Sequence, residues 1–115
     1  MPATLYLILL TYVRPPEEVA AHLEEHRAYL RRAIAAGHLI VSGRMMNDAG
    51  GVILVRAASE EAVRALVADD PFGQHGIATH QIIPFAANWS APAFAPFLAP
   101  FAADAKGQSK PGAGG

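Results

Sequence analysis

Leu5-Tyr6-Leu7-Ile8-Leu9-Leu10-Thr11-Tyr12-Val13, closed by Arg14-Pro15-Pro16, is the stretch from which the fold can be read. Aliphatic and aromatic residues fill both parities of the run, which predicts a central strand buried on both faces. The same prolines that stop it suit the first turn of a helix, where a missing N–H costs nothing. Glu17 and Glu18 follow at the positive end of that helix dipole. Val19, Leu23, Leu30 and Ile34 recur at helical spacing and predict one apolar stripe. Gly37 is the natural residue to end it.

Two further strands are expected at His38–Gly43 and Val52–Arg56, joined as a hairpin through Asn47, Asp48, Gly50 and Gly51. Ser59 is the expected N-cap of a second helix, with Ala62, Val63, Leu66 and Val67 on its buried face. That helix must end by Asp69 or Asp70, because Pro71 drives the preceding residue out of the helical region. A last strand fits Thr79–Ala86, with His80, Ile82 and Pro84 on one face and Gln81, Ile83 and Phe85 on the other. Pro84 cannot donate to a ladder, so this strand is expected at an edge or bulged. Gly43 and Gly73 read as positions of close approach or positive φ.

The order β-α-β-β-α-β predicts an α+β, ferredoxin-like domain: a four-stranded antiparallel sheet with two helices on one face. The helices cover only that face, and apolar residues on the other are expected to be covered by a second copy, giving a homodimer through the sheets. The domain is placed at residues 1–86. Residues 87–103 are expected as a Pro- and Phe-rich arm, carrying Trp89, Phe94, Phe97 and Phe101, laid on the domain or on a partner. Residues 104–115 are expected to be disordered.

Composition narrows the function. Nine Lys and Arg stand against ten Asp and Glu in 115 residues, a formal net charge of -1, which speaks against a nucleic-acid surface or a polybasic membrane patch. There is no cysteine, which excludes disulfides, thiolate nucleophiles and Cys-rich structural zinc. The apolar start MPATLYLILL has no basic n-region or cleavage site and is too short to span a bilayer. A cytoplasmic protein with no membrane partner is the expectation.

His26 falls at the flank of the first helix's stripe, at about 100° per residue. Asp70 leaves the second helix in Asp69-Asp70-Pro71-Phe72. Helices lying side by side on a sheet would let this carboxylate reach that imidazole. Such a pair fixes the tautomer and suits the ring to general acid–base work. The dyad requires the two groups within a hydrogen bond or one bridging water. His75 is placed in a loop that could line a pocket mouth, and His80 reads as a satisfied sheet histidine. Arg44, just after Ser42-Gly43, is a candidate to hold an anionic group.

His22-Leu23-Glu24-Glu25-His26 also matches H-x-x-E-H, the zinc signature of inverzincins. Those enzymes need a third ligand from another helix and a large substrate chamber, for which this chain is too short. The expectation is no metal, with Glu24 and Glu25 forming a solvated face with Arg27 and Arg31. Phosphate-cradling loops, nucleotide fingerprints and G-x-S-x-G elbows are absent.

Taken in order, Tyr6, His26, Gly37-His38-Leu39, Ser42-Gly43, Asp70-Pro71-Phe72 and His80-Gln81-Ile82-Ile83-Pro84-Phe85 resemble the YciI-like (YCII-related) family of the dimeric α/β-barrel superfamily, over residues 4–86. The resemblance implies a homodimer and a small-molecule site with His26 and Asp70 catalytic. Ser42, Arg44, Phe72 and His75 are the expected substrate-binding residues. The proline usual after Ser-Gly in the family is Arg44 here, which alters the local pocket. The implied function is a cofactor-independent lyase or isomerase, similar to dehydrochlorinases or muconolactone isomerases. A non-catalytic small-molecule-binding or accessory domain is the alternative, and cofactor-free monooxygenases share the superfamily.

Overall fold

Residues 3–101 are described in a computed structural model. Strand β1 (Thr4–Tyr12) is followed by α1 (Pro16–Ala21), α2 (Leu23–Ala35), and the hairpin of β2 (Leu39–Arg44) and β3 (Gly50–Arg56). Then come α3 (Glu60–Ala68), the four-residue α4 (Pro71–Gln74), β4 (Ala78–Ala86) and a 3₁₀ segment at Pro92–Leu98. All pairings are antiparallel in the order β2-β3-β1-β4, the ferredoxin-like arrangement. No described helix is long and apolar enough to cross a membrane.

β1 is central, as its composition predicts. Its even positions Tyr6, Ile8 and Leu10 are buried under the helices with Ile53, Val55, Val63 and Phe72. On the opposite face Leu7 pairs in register with Leu54 and Ile83, and all three are half-buried in the single chain. β4 is an edge strand, which accommodates Pro84, and its register with β1 runs through without a bulge. The irregularity lies in β2 instead, between Leu39 and Val41. A Cβ at Gly50 would run into the Leu10 carbonyl, so the tight β1–β3 pairing requires glycine there. Gly43 needs neither positive φ nor close approach, contrary to expectation, whereas a Cβ at Gly73 would lie 3.2 Å from His80 Cε1.

The first helix differs from its reading. His22, at φ -111° and ψ 9°, breaks it into two. Val19, Leu23 and Leu30 of the expected stripe nevertheless pack half-buried against the core on both sides of the break. The buried positions of α2 are His26, Tyr29 and Ala33, and Ile34 is 57% exposed. The Tyr29 hydroxyl donates to the Leu66 carbonyl at 2.8 Å, tying α2 to α3. Ser59 caps α3 as expected, accepting from the Ala62 N–H, and Gly37 ends α2 at φ +86°.

The arm folds back on its own domain. Phe101 is buried and stacks on His38 at 4.4 Å between ring centroids, with the Arg56 guanidinium also over its ring. Arg56 also donates to the Pro96 carbonyl. Trp89, expected to seek cover, is 94% exposed in the chain. The readings for residues 102–115 lie outside the described residues.

Candidate active site

Asp70 begins a short helix that the sequence reading missed. It is the N-cap of α4, with Pro71 in the first turn and Phe72 N–H donating to Oδ1 at 3.0 Å. The cap holds the carboxylate under the sheet with no exposure at all. From there Oδ1 also accepts from His26 Nδ1 at 2.8 Å, and Oδ2 accepts from His80 Nε2 at 2.8 Å. The arrangement is thus a His–Asp–His hydrogen-bonded chain across α2, the α4 cap and β4.

Burial acts to raise the Asp70 pKa, but the bonds from His26, His80 and Phe72 N–H outweigh it and hold it at about 2. An ionised carboxylate only accepts hydrogen bonds, so the proton of a neutral His26 must sit on Nδ1. Nε2 is then the lone-pair nitrogen, and among the described residues it has no hydrogen-bond partner. Burial first, and then Asp70 and Asp69, push the nearby Tyr29 hydroxyl above its usual range.

The His26 ring lies flat on Phe72, with centroids 4.2 Å apart and planes within 5°. Phe72 is fully buried, so it backs the imidazole and does not face the cleft directly. On the cleft side His26 meets a small cavity of about 160 Å³ with Leu10, Tyr12, Arg27, Leu30, Ser42 and Arg44. Tyr12, Leu23, Arg27 and Arg44 also border an adjoining depression of about 950 Å³. A groove of about 650 Å³ between α2 and α3 includes none of His26, Asp70 or His80.

Of the residues singled out from sequence, His26, Asp70, Ser42 and Arg44 are therefore gathered at or behind one cleft, with Phe72 as its backing. His75 is elsewhere, stacked on His22 at 4.1 Å on the outer surface. The H-x-x-E-H pair is split in the same way, since His26 turns inward to Asp70 while His22 turns outward to Glu25. Glu24 does meet Arg27 and Arg31, but Glu25 meets His22 and His75 instead. Three residues were missed: His80 as second partner of Asp70, and Tyr12 and Arg27 as cleft walls. His80 was findable, because its parity with Ile82 puts it on the helix-covered face.

A ferredoxin-like sheet thus carries a buried carboxylate between two imidazoles, one of them at a cleft. The YCII-related domain matches residues 4–86, and the chain belongs to that family. Among solved structures it is similar to 5-chloro-2-hydroxyhydroquinone dehydrochlorinase (TftG) from Burkholderia phenoliruptrix AC1100, in complex with 2,5-dihydroxybenzoquinone. Identity is 24% and the TM-score 0.58, over 77% of this chain and 96% of that one. SnoaB, a cofactor-independent oxygenase from Streptomyces nogalater, aligns at 17% identity and a TM-score of 0.48, over 80% of this chain and 99% of that one. No curated protein sequence matches the chain.

Proposed function

We propose that the chain is a cofactor-independent lyase or isomerase acting on a small anionic or phenolic ring compound, with His26 as the proton-transfer group. The observation that carries this reading is the Asp70 carboxylate, which fixes the His26 tautomer at 2.8 Å and leaves Nε2 as the base. Nε2 takes a proton from a hydroxyl or from a carbon next to a carbonyl. It either returns that proton elsewhere on the ring or keeps it while a leaving group departs with its electron pair. Asp70 stabilises the imidazolium formed, and His80 holds the second oxygen of Asp70 in place. Arg44 and Arg27 supply positive charge for the developing enolate or phenolate. The dehydrochlorinase similarity supports chlorinated hydroxyhydroquinones as the first substrates to try, with unsaturated lactones second.

The half-buried apolar face of Leu7, Leu9, Leu54 and Ile83 supports the companion proposal of a homodimer through the sheets. Chloride release or double-bond migration is the assay. Wild type should turn over, and His26→Ala should lose about 10²–10⁴-fold in kcat. Saturable binding without turnover by wild type would instead support the binding-domain reading, and an active His26→Ala would remove the base from this mechanism.

A further inference from the structure

The outer surface of α2 carries a second group of chemistry-bearing side chains that the proposed reaction does not use. His22 sits at the break between α1 and α2, Glu25 lies in the first turn of α2, and His75 closes α4. His22 Nδ1 is 3.0 Å and His75 Nε2 is 3.3 Å from the same oxygen, Glu25 Oε1. One ligand atom from each residue falls within 4.8 Å of the other two.

Those separations have a chemical meaning. Zinc bonds of 2.0–2.2 Å to nitrogen and oxygen place tetrahedral ligand atoms about 3.3 Å apart. The His75–Glu25 distance of 3.3 Å matches that spacing, and the His22–Glu25 distance of 3.0 Å is slightly shorter. Two imidazoles and one carboxylate form a donor set that favours borderline transition ions over Mg²⁺ or Ca²⁺. Among the described residues the carboxylate pairs with no lysine or arginine. Glu18, Glu24 and Glu60 all pair with arginines, whereas among the described residues Glu25 pairs only with the two histidines. His22 and His75 are partly exposed, at 30% and 43% of the side chain, so an ion and its remaining water have access.

We propose that His22, Glu25 and His75 bind a divalent transition ion of the Zn²⁺ type, with water completing the coordination. The ion clips the α1–α2 break to the end of α4. Since α4 starts at Asp70 and α2 carries His26 one turn beyond His22, the clip braces the outer side of the His26–Asp70 pair without entering the cleft. It is independent of the proposed reaction, which needs no metal at this place.

The test is a ZnCl₂ titration of the untagged full chain by calorimetry, repeated with MgCl₂ and with His22→Ala, His75→Gln and Glu25→Gln. One Zn²⁺ per chain is expected, with no saturation by Mg²⁺. Each variant should lose about 10–100-fold or more in affinity. The thermal midpoint of wild type should climb with Zn²⁺ concentration, while metal-free variants should melt with wild type. Absence of Zn²⁺ binding at hundreds of micromolar, binding unchanged in the variants, an equal response to Mg²⁺, or one ion shared by two chains would each overturn the proposal.

Discussion

Two three-residue groups, each of two histidines and one carboxylate, flank α2. Inside, His26 and His80 hold Asp70 with no solvent exposure, and outside, His22 and His75 hold Glu25 at 55% exposure. The inner contacts are both 2.8 Å and the outer ones 3.0 and 3.3 Å. Burial is what separates them, because it makes the inner hydrogen bonds obligatory and leaves the outer ones optional. The inner group is therefore a fixed hydrogen-bonded triad. The outer one is partly open to solvent, which gives an ion access.

The contrast breaks first under truncation. Asp70→Ala leaves two imidazoles and the Phe72 N–H without their acceptor and should cost about 3–5 kcal/mol in denaturant unfolding. Glu25→Ala should stay within about 0.5 kcal/mol without metal. A mutant pair with equal losses would erase the distinction. Acid is the next lever. Asp70 has a folded pKa depressed from 3.8 to about 2, so its stabilisation is fully present above pH 4 and is lost as pH falls through about 2. That amounts to about 2 kcal/mol, and Asp70→Asn should lack this component of the acid transition.

Smaller effects sharpen the comparison. His80→Gln should lower turnover by about 10-fold with KM nearly unchanged, because it loosens Asp70 and leaves the cleft intact. Gly73→Ala should cost about 1 kcal/mol, since its Cβ meets His80 at 3.2 Å, and should shift the His80 ring resonances in NMR.

How legible these groups were in the sequence follows from what each depends on. The strands were legible because β1 and the hairpin carry their burial in their own residue types, and Ser59, Gly37 and Pro84 mark ends and edges chemically. His26 and Asp70 were legible as a pair because helix order alone brings their elements together. The end of the α2 stripe was not, because Ile34 points away from the core while Tyr29 and Ala33 take the buried positions alongside Leu23 and Leu30. The α4 turn was not, because Asp70-Pro71 reads equally well as a stop and as a capped restart. His75 could not be placed without that turn, which carries it to the outer surface. Cleft walls such as Arg27 and Tyr12 depend on how a strand end meets a helix, which no local pattern encodes.

The contact of Phe101 with His38 and Arg56 bears on where this polypeptide ends as a cooperative unit. The family match stops at residue 86, yet the ring that covers the start of β2 and the side chain that reaches Pro96 belong to one latch. Cutting at the match boundary would uncover Leu5, at 3% exposure the most protected side chain of the open sheet face. Phe101 and Pro96 thus tie the segment after residue 86 to the sheet beyond the span of the family match.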